Sequence, residues 1–187
     1  MKKIRNGDKK MNTMDAIMSR RSCREYGKEQ ITNEALHQVL QAAYAAPNAD
    51  SAYEDLQLTV IQSKEALADI TEIYRKAIGN DNADPLYGAP TFIVISSTVP
   101  EGDPVGYSNA GCIVENMALA AADCGLASVY IYGIFDDLRL KKNDELNTYL
   151  KLKDGKQAIS GIVLGYPVKT AEKRGELEEK IPTDYMC

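Results

Sequence analysis

Three guanidiniums and two hydroxyls fall within the six residues Ser19-Arg20-Arg21-Ser22-Cys23-Arg24. Guanidinium forks suit a phosphate dianion, and hydroxyls fill the acceptor sites that the forks leave. The chain carries 22 Lys and Arg against 27 Asp and Glu, so this basic cluster runs against the overall balance. The plainer alternative is a solvated helix end, where arginine complements the macrodipole. A second basic pair, Lys173-Arg174, lies in the tail, where such pairs are usually just solvated. Two uncharged segments could complete a site. The stretch Ala46-Pro47-Asn48-Ala49-Asp50-Ser51-Ala52-Tyr53 could present amides to a flat heteroaromatic edge, or simply connect two elements. The stretch Tyr130-Ile131-Tyr132-Gly133 ends a strand and could offer backbone N–H groups, a weak signal alone because glycine there often marks a bend.

Other chemistries are poorly provided for. Cys23, Cys112, Cys124 and Cys187 form no C-x-x-C pair, and His37 is the single histidine. A zinc cluster and a disulfide framework are therefore not expected. A hydrolase would have to use His37, on what reads as an exposed helix flank, so any chemistry must lean on a bound cofactor. The negative net charge argues against nucleic acid. No apolar run reaches the roughly 18 residues of a membrane helix, and no apolar stretch follows the basic start as a secretory signal would require. The expectation is a cytoplasmic protein with neither nucleic-acid nor membrane partners.

The elements that must position these residues follow from periodicity. Residues 1–13 read as a flexible leader and residues 14–187 as one domain with an arm from about Val168. A short helix is expected from Met14 to about Arg20. A second starts after Thr32, an acceptable N-cap, with Leu36, Val39, Leu40 and Ala43 on one stripe. Leu56 to Ile61 reads as a strand. Ser63 caps a third helix with Leu67, Ile70, Tyr74 and Ala77 inward, and Gly79 ends it. Thr91 to Ser97 is a strand covered on both faces, and 99–107, with two prolines and two glycines, is a loop. Ala110 to Cys124 is a helix apolar nearly all round, suited to a central position or an oligomer interface. Leu126 to Tyr132 is a strand, Asp144 to Leu152 a short helix, and Ala158 to Leu164 a last strand. This order gives a mixed α/β or α+β domain without a Rossmann or Walker phosphate loop.

Five motifs in order, over about residues 14–174, resemble the FMN-dependent nitroreductase family. The arginine segment through Tyr26 looks like R-R-S-x-R-x-[FY]. Ala46-Pro47-Asn48-Ala49 resembles A-P-S-A, and Ala89-Pro90 precedes a strand as in the family. Asn116 to Ala121 with Gly125-Leu126 looks like Q-N-x-x-L-A-A-x-x-x-G-L, and Gly165-Tyr166-Pro167 is similar to its G-Y-P. The resemblance implies an α+β fold, a central mostly antiparallel sheet flanked by helices, and a homodimer built on the apolar helix. It also implies FMN between the subunits. Arg20, Arg21 and Ser22 would then contact the phosphate and ribityl chain. Arg24 would lie near the pyrimidine N1 and O2, where a fixed cation favours reduced flavin. Pro47, Asn48, Ala49 and Ser51 would line the ring, Tyr130 to Gly133 would pack on it with a backbone N–H toward N5, and Lys173 and Arg174 would close on the phosphate.

The implied activity is electron transfer from NAD(P)H, as co-substrate, through the flavin to a small-molecule acceptor: a nitroaromatic, quinone or activated alkene. The scheme is ping-pong, with the chemistry at flavin N5 and no catalytic side chain or metal. Tyr53, Tyr107 and Tyr132 are candidate pocket walls. The alternative is a flavin-binding carrier or redox sensor without turnover, with Cys23 as its thiol. The sequence also departs from the family. Ser51 and Tyr53 stand where an Asn and a Gln are usual, and Asn109 and Glu115 where an Asp and a Gln are usual.

Overall fold

The computed structural model describes residues 11–98 and 103–186. Residues 1–10 of the expected leader and 99–102 of the expected loop lie outside the described residues. Met11 donates its backbone N–H to Asp123 at 2.6 Å. Asn12 caps α1 (Thr13–Ser19), accepting from the Asp15 N–H at 2.9 Å.

Local signals place most elements. Thr32 caps α2 (Asn33–Tyr44) through the Ala35 N–H. Ser63 caps α3 (Lys64–Ile78) through the Ala66 N–H, and Gly79, with φ of 69°, closes it in the left-handed region. Strands β1 (Leu56–Ile61) and β2 (Thr91–Ser97) fall where the alternation and the apolar run put them.

Two differences from the sequence reading concern helices. α4 runs Pro104–Asp123, so it starts six residues before the expected Ala110. Asp103 caps it through the Val105 N–H, and Pro104 takes the first helical position, where its missing N–H costs nothing. The prolines and glycines that suggested a loop therefore include a helix start. α5 (Gly133–Leu140) was not expected at all; it buries Ile134, Phe135 and Leu138. Strand β3 (Ala127–Ile131), helix α6 (Glu145–Tyr149) and strand β4 (Gln157–Gly165) complete the order.

The four strands form one antiparallel sheet in the order β1-β2-β4-β3, which makes the fold α+β as expected. β2 explains why both faces are covered. Ile93 and Ile95 point into a cluster with α2 and α4, while Phe92 and Val94 point into a second cluster with α3 and α5. All four are fully buried, and each contributes about 1.5–3 kcal/mol of apolar burial. β3 is an edge strand, and the arginine segment runs beside it. Among the described residues no helix is long and apolar enough to cross a membrane.

Candidate functional site

The arginine segment leaves α1 and runs beside β3. Ser22 bridges Ser128 in parallel, and the Cys23 N–H donates to the Ser128 carbonyl at 2.9 Å. Further on, Tyr26 bridges Pro167 and the Gly27 N–H donates to Tyr166 at 2.8 Å. Tyr26 is the peg of this arrangement. Its ring lies so close to Gly165 that a Cβ there would sit 2.9 Å from it and 2.8 Å from Pro90. Its hydroxyl donates back to the Cys23 carbonyl at 2.7 Å, and burial pushes the phenol well above the ordinary tyrosine range. Thus the aromatic that follows the arginines and the glycine that ends β4 are two halves of one contact. That contact fixes the backbone from which Arg20 to Arg24 project.

Three guanidiniums gather at the C-terminal end of α1. Carbonyls there lack helical partners. Met18 accepts from the Arg174 N–H at 3.0 Å and from Arg21 Nη1 at 3.3 Å, and Ile17 accepts from Arg174 Nη1 at 3.2 Å. Arg21 Nη2 also reaches the Glu172 carbonyl at 3.1 Å, which ties the tail to α1. Arg20 pairs with Glu115 of α4 at 3.4 Å. The Arg174 guanidinium is held below the usual arginine range, first by the water its surroundings displace and then by the charges of Arg21 and Arg20, with Glu115 opposing. Like charges held within mutual reach, with one carboxylate against them, suit an incoming dianion.

The match to a family model covers residues 17–166 and carries the description Nitroreductase family. The chain belongs to that family. A Methanothermobacter thermautotrophicus relative, provisionally named NADH dehydrogenase/NAD(P)H nitroreductase, is 25% identical over 170 residues, covering 88% of this chain and 82% of its own. The NADPH-flavin oxidoreductase of Vibrio harveyi is 24% identical over 180 residues, covering 89% and 70%. A solved nitroreductase with bound FMN from Desulfitobacterium hafniense shares the fold with a TM-score of 0.78 at 21% identity, covering 94% of this chain and all of its own.

Within this fold the expected residues divide into groups. Arg20, Arg21 and Arg174 converge, and Ser22 lies exposed beside them on the segment. Lys173 turns away and pairs with Asp15 of α1. Arg24 also lies apart, its guanidinium 5.6 Å from the centroid of the Tyr87 ring. The loop after α2 is held to α4 by the Ala49 N–H, which donates to Asn109 at 3.1 Å. Asp50 and Ser51 both take left-handed conformations, with φ of 54° and 56°. Asn48 there has both side-chain polar atoms buried and without a hydrogen-bond partner. Tyr130, Tyr132 and Gly133 are exposed at the end of β3, and Ile131 is buried. Tyr132 meets Tyr107 edge to face, 6.2 Å between centroids, in the wall of a cavity of about 300 Å³ between α4, α5 and α6. Tyr53 does not line that cavity and is 54% exposed. The anchoring roles of Ser128 and of the Glu172 carbonyl were missed. A serine in a strand and a backbone carbonyl in a charged tail give no local signal. Asn109 was noted only as a departure, although a buried amide in an apolar helix marks a contact to be made.

Proposed function

We propose that this protein is an NAD(P)H-dependent FMN oxidoreductase that passes electrons to a small organic acceptor by a ping-pong scheme. The observation that carries this reading is the convergence of Arg20, Arg21 and Arg174 against the single carboxylate of Glu115. Their donors fit the phosphate of FMN, with the Ser22 hydroxyl alongside. The unpartnered carboxamide of Asn48, a donor beside an acceptor, would match the alternating pyrimidine edge of a flavin once the loop that buries it opens. Bound flavin supplies reversible hydride acceptance. The chain supplies position and charge: the arginines hold the phosphate, and the loop of Pro47, Asn48, Ala49 and Ser51 and the end of β3 from Tyr130 to Gly133 would enclose the ring. Arg24 and Lys173 join them only if they leave Tyr87 and Asp15.

A homodimer belongs to the same reading. The cavity beside Tyr107 and Tyr132 is lined by none of the three clustered arginines, which suits a phosphate site completed between two subunits. Apolar side chains of α1 and α4 that would lie at such an interface are exposed, Met14 at 61% and Val105 at 39%.

The test is an absorbance spectrum after incubation with excess FMN and desalting, repeated anaerobically with NADH and with NADPH. Retained flavin bands that bleach are expected, followed by recovery on adding a quinone or nitroaromatic. Flavin retained but never bleached would replace the enzyme by a carrier or sensor. No retained flavin would remove the cofactor assignment.

A further inference from the structure

We propose that a second cavity, between α3 and the loop after it, binds an amphipathic organic carboxylate. It measures about 460 Å³, within the range of small-molecule sites, and shares no residue with the arginine cluster. One wall is a single face of α3, formed by Lys64, Leu67, Ala68, Thr71 and Arg75 at helical spacing. The opposite wall is Leu86, Gly88, Ala89 and Pro90, with Leu86 and Ala89 themselves buried. Leu67, Ala68, Leu86, Ala89 and Pro90 therefore give the cavity an apolar lining. Three cations stand around it: Lys64, Arg75 and, from the far side, Lys28.

Hydrogen bonding sets the chemistry of the ligand. The Ile31 backbone N–H can only donate, and it meets Gln30 Oε1 at 2.8 Å, so that atom is an oxygen. The Thr91 hydroxyl, 2.6 Å from the same oxygen, must donate to it. Gln62 must then donate to Thr91, at 3.1 Å. Gln30 turns its amide nitrogen to the Pro90 carbonyl at 2.9 Å. The network thus uses both lone pairs of Gln30 and leaves it a spare N–H. Arg75 is steadied by its Nε bond to the Ala83 carbonyl at 2.7 Å, which leaves its two terminal nitrogens. None of Lys28, Lys64 and Arg75 has a carboxylate within ion-pairing distance among the described residues. Against these donors stand the Gln62 oxygen and one carboxylate, Asp84, which already accepts from the Leu86 N–H at 3.3 Å. A cavity with an apolar lining and a surplus of cationic donors selects a ligand with an apolar body and an anionic head. The apolar lining favours a carboxylate on an organic body over inorganic phosphate, which has no apolar part to bury there.

The probe is 2-naphthoate, titrated calorimetrically into the full chain both as FMN-loaded protein and without FMN. The neutral isostere 2-naphthamide and inorganic phosphate are the comparison ligands. One saturable site per chain is expected, with naphthoate about tenfold tighter than naphthamide and phosphate weaker still. Lys28→Gln with Lys64→Gln, two exposed positions, should weaken naphthoate about tenfold. Ala68→Trp should block the cavity and abolish binding. Melting curves of these variants check that they fold. Flavin absorbance should not change on binding. No saturable binding, equal affinity for the amide, or binding that survives Ala68→Trp while shifting the flavin bands would overturn the proposal. The arm without FMN separates this outcome from failure of the flavin assignment.

Discussion

The segment from Arg20 to Gly27 and the loop from Pro47 to Asp55 both follow a helix, and they are held in opposite ways. The first is tied at Ser128, Tyr166 and Pro167, and its aromatic seats on Gly165, where any Cβ would force the ring or Pro90 to shift. The second is held at its far end, where Asp55 accepts twice from Thr98, but before that it reaches α4 through one side-chain bond, carries two consecutive left-handed residues and buries an unpartnered carboxamide. A rigid half costs little entropy when its ligand arrives, whereas a strained half waits for a ligand or partner to satisfy it. If flavin binds as proposed, the phosphate end of its site would be preformed and the ring end completed by binding.

Breaking the rigid half should have the largest effect on affinity and little on stability. Arg20→Ala is expected to weaken FMN binding more than tenfold, about 1.5–3 kcal/mol for a charged hydrogen bond, with its melting temperature nearly unchanged. A flavin titration that returned the wild-type affinity would remove the phosphate assignment. Asn109→Ala should show the reverse balance. It removes the one side-chain bond from α4 to the Ala49 N–H, for a loss of about 1–2 kcal/mol in denaturant melts. Asn48→Ala sharpens the contrast further, because its two effects carry opposite signs. Deleting two unsatisfied buried atoms should raise stability without flavin by about 1 kcal/mol, while FMN affinity falls. Loss of stability in both states would mean that the carboxamide belongs to the fold and not to a ligand. Ser51→Gly should relieve the φ of 56° and raise the melting midpoint by about 0.5 kcal/mol equivalent.

A control lies outside both regions. Burial, followed by the hydrogen bond and charge of Asp137, pushes the Tyr74 phenol up to about 12 from 10.0. The folded state therefore favours the protonated phenol. This contribution is whole below pH 10 and is lost as pH rises through 12. In pH-dependent melts, Tyr74→Phe should flatten the decline across that window, and an unchanged curve would show that another group governs it.

Much of this was legible along the chain. The caps Thr32, Ser63 and Gly79 act within four residues, and the β2 run needs only its own composition to announce a covered strand. The start of α4 was hidden because Pro104 and Gly106 break helices in their interior, and Pro104 is harmless only at the first position. α5 has an apolar spacing at Ile134, Phe135 and Leu138, but eight residues opening on a glycine give too short a pattern to stand out. At the site, residue types were readable and partners were not. Arg24 resting on Tyr87, Lys173 paired to Asp15 and the Arg21 guanidinium on Glu172 all join segments far apart in sequence, which no local period encodes.

The clasp of the tail on α1 bears on how the molecule is made. Arg21 and Glu172 are 151 residues apart, and Arg174 and Ile17 are 157 apart. During synthesis the early arginines leave the ribosome long before the residues that close around them, and contacts of such separation form late in folding. A nascent, nicked or shortened chain could assemble the whole sheet and still lack the third guanidinium. Cofactor capture would then act as a final inspection, retaining only molecules in which these two distant segments have met.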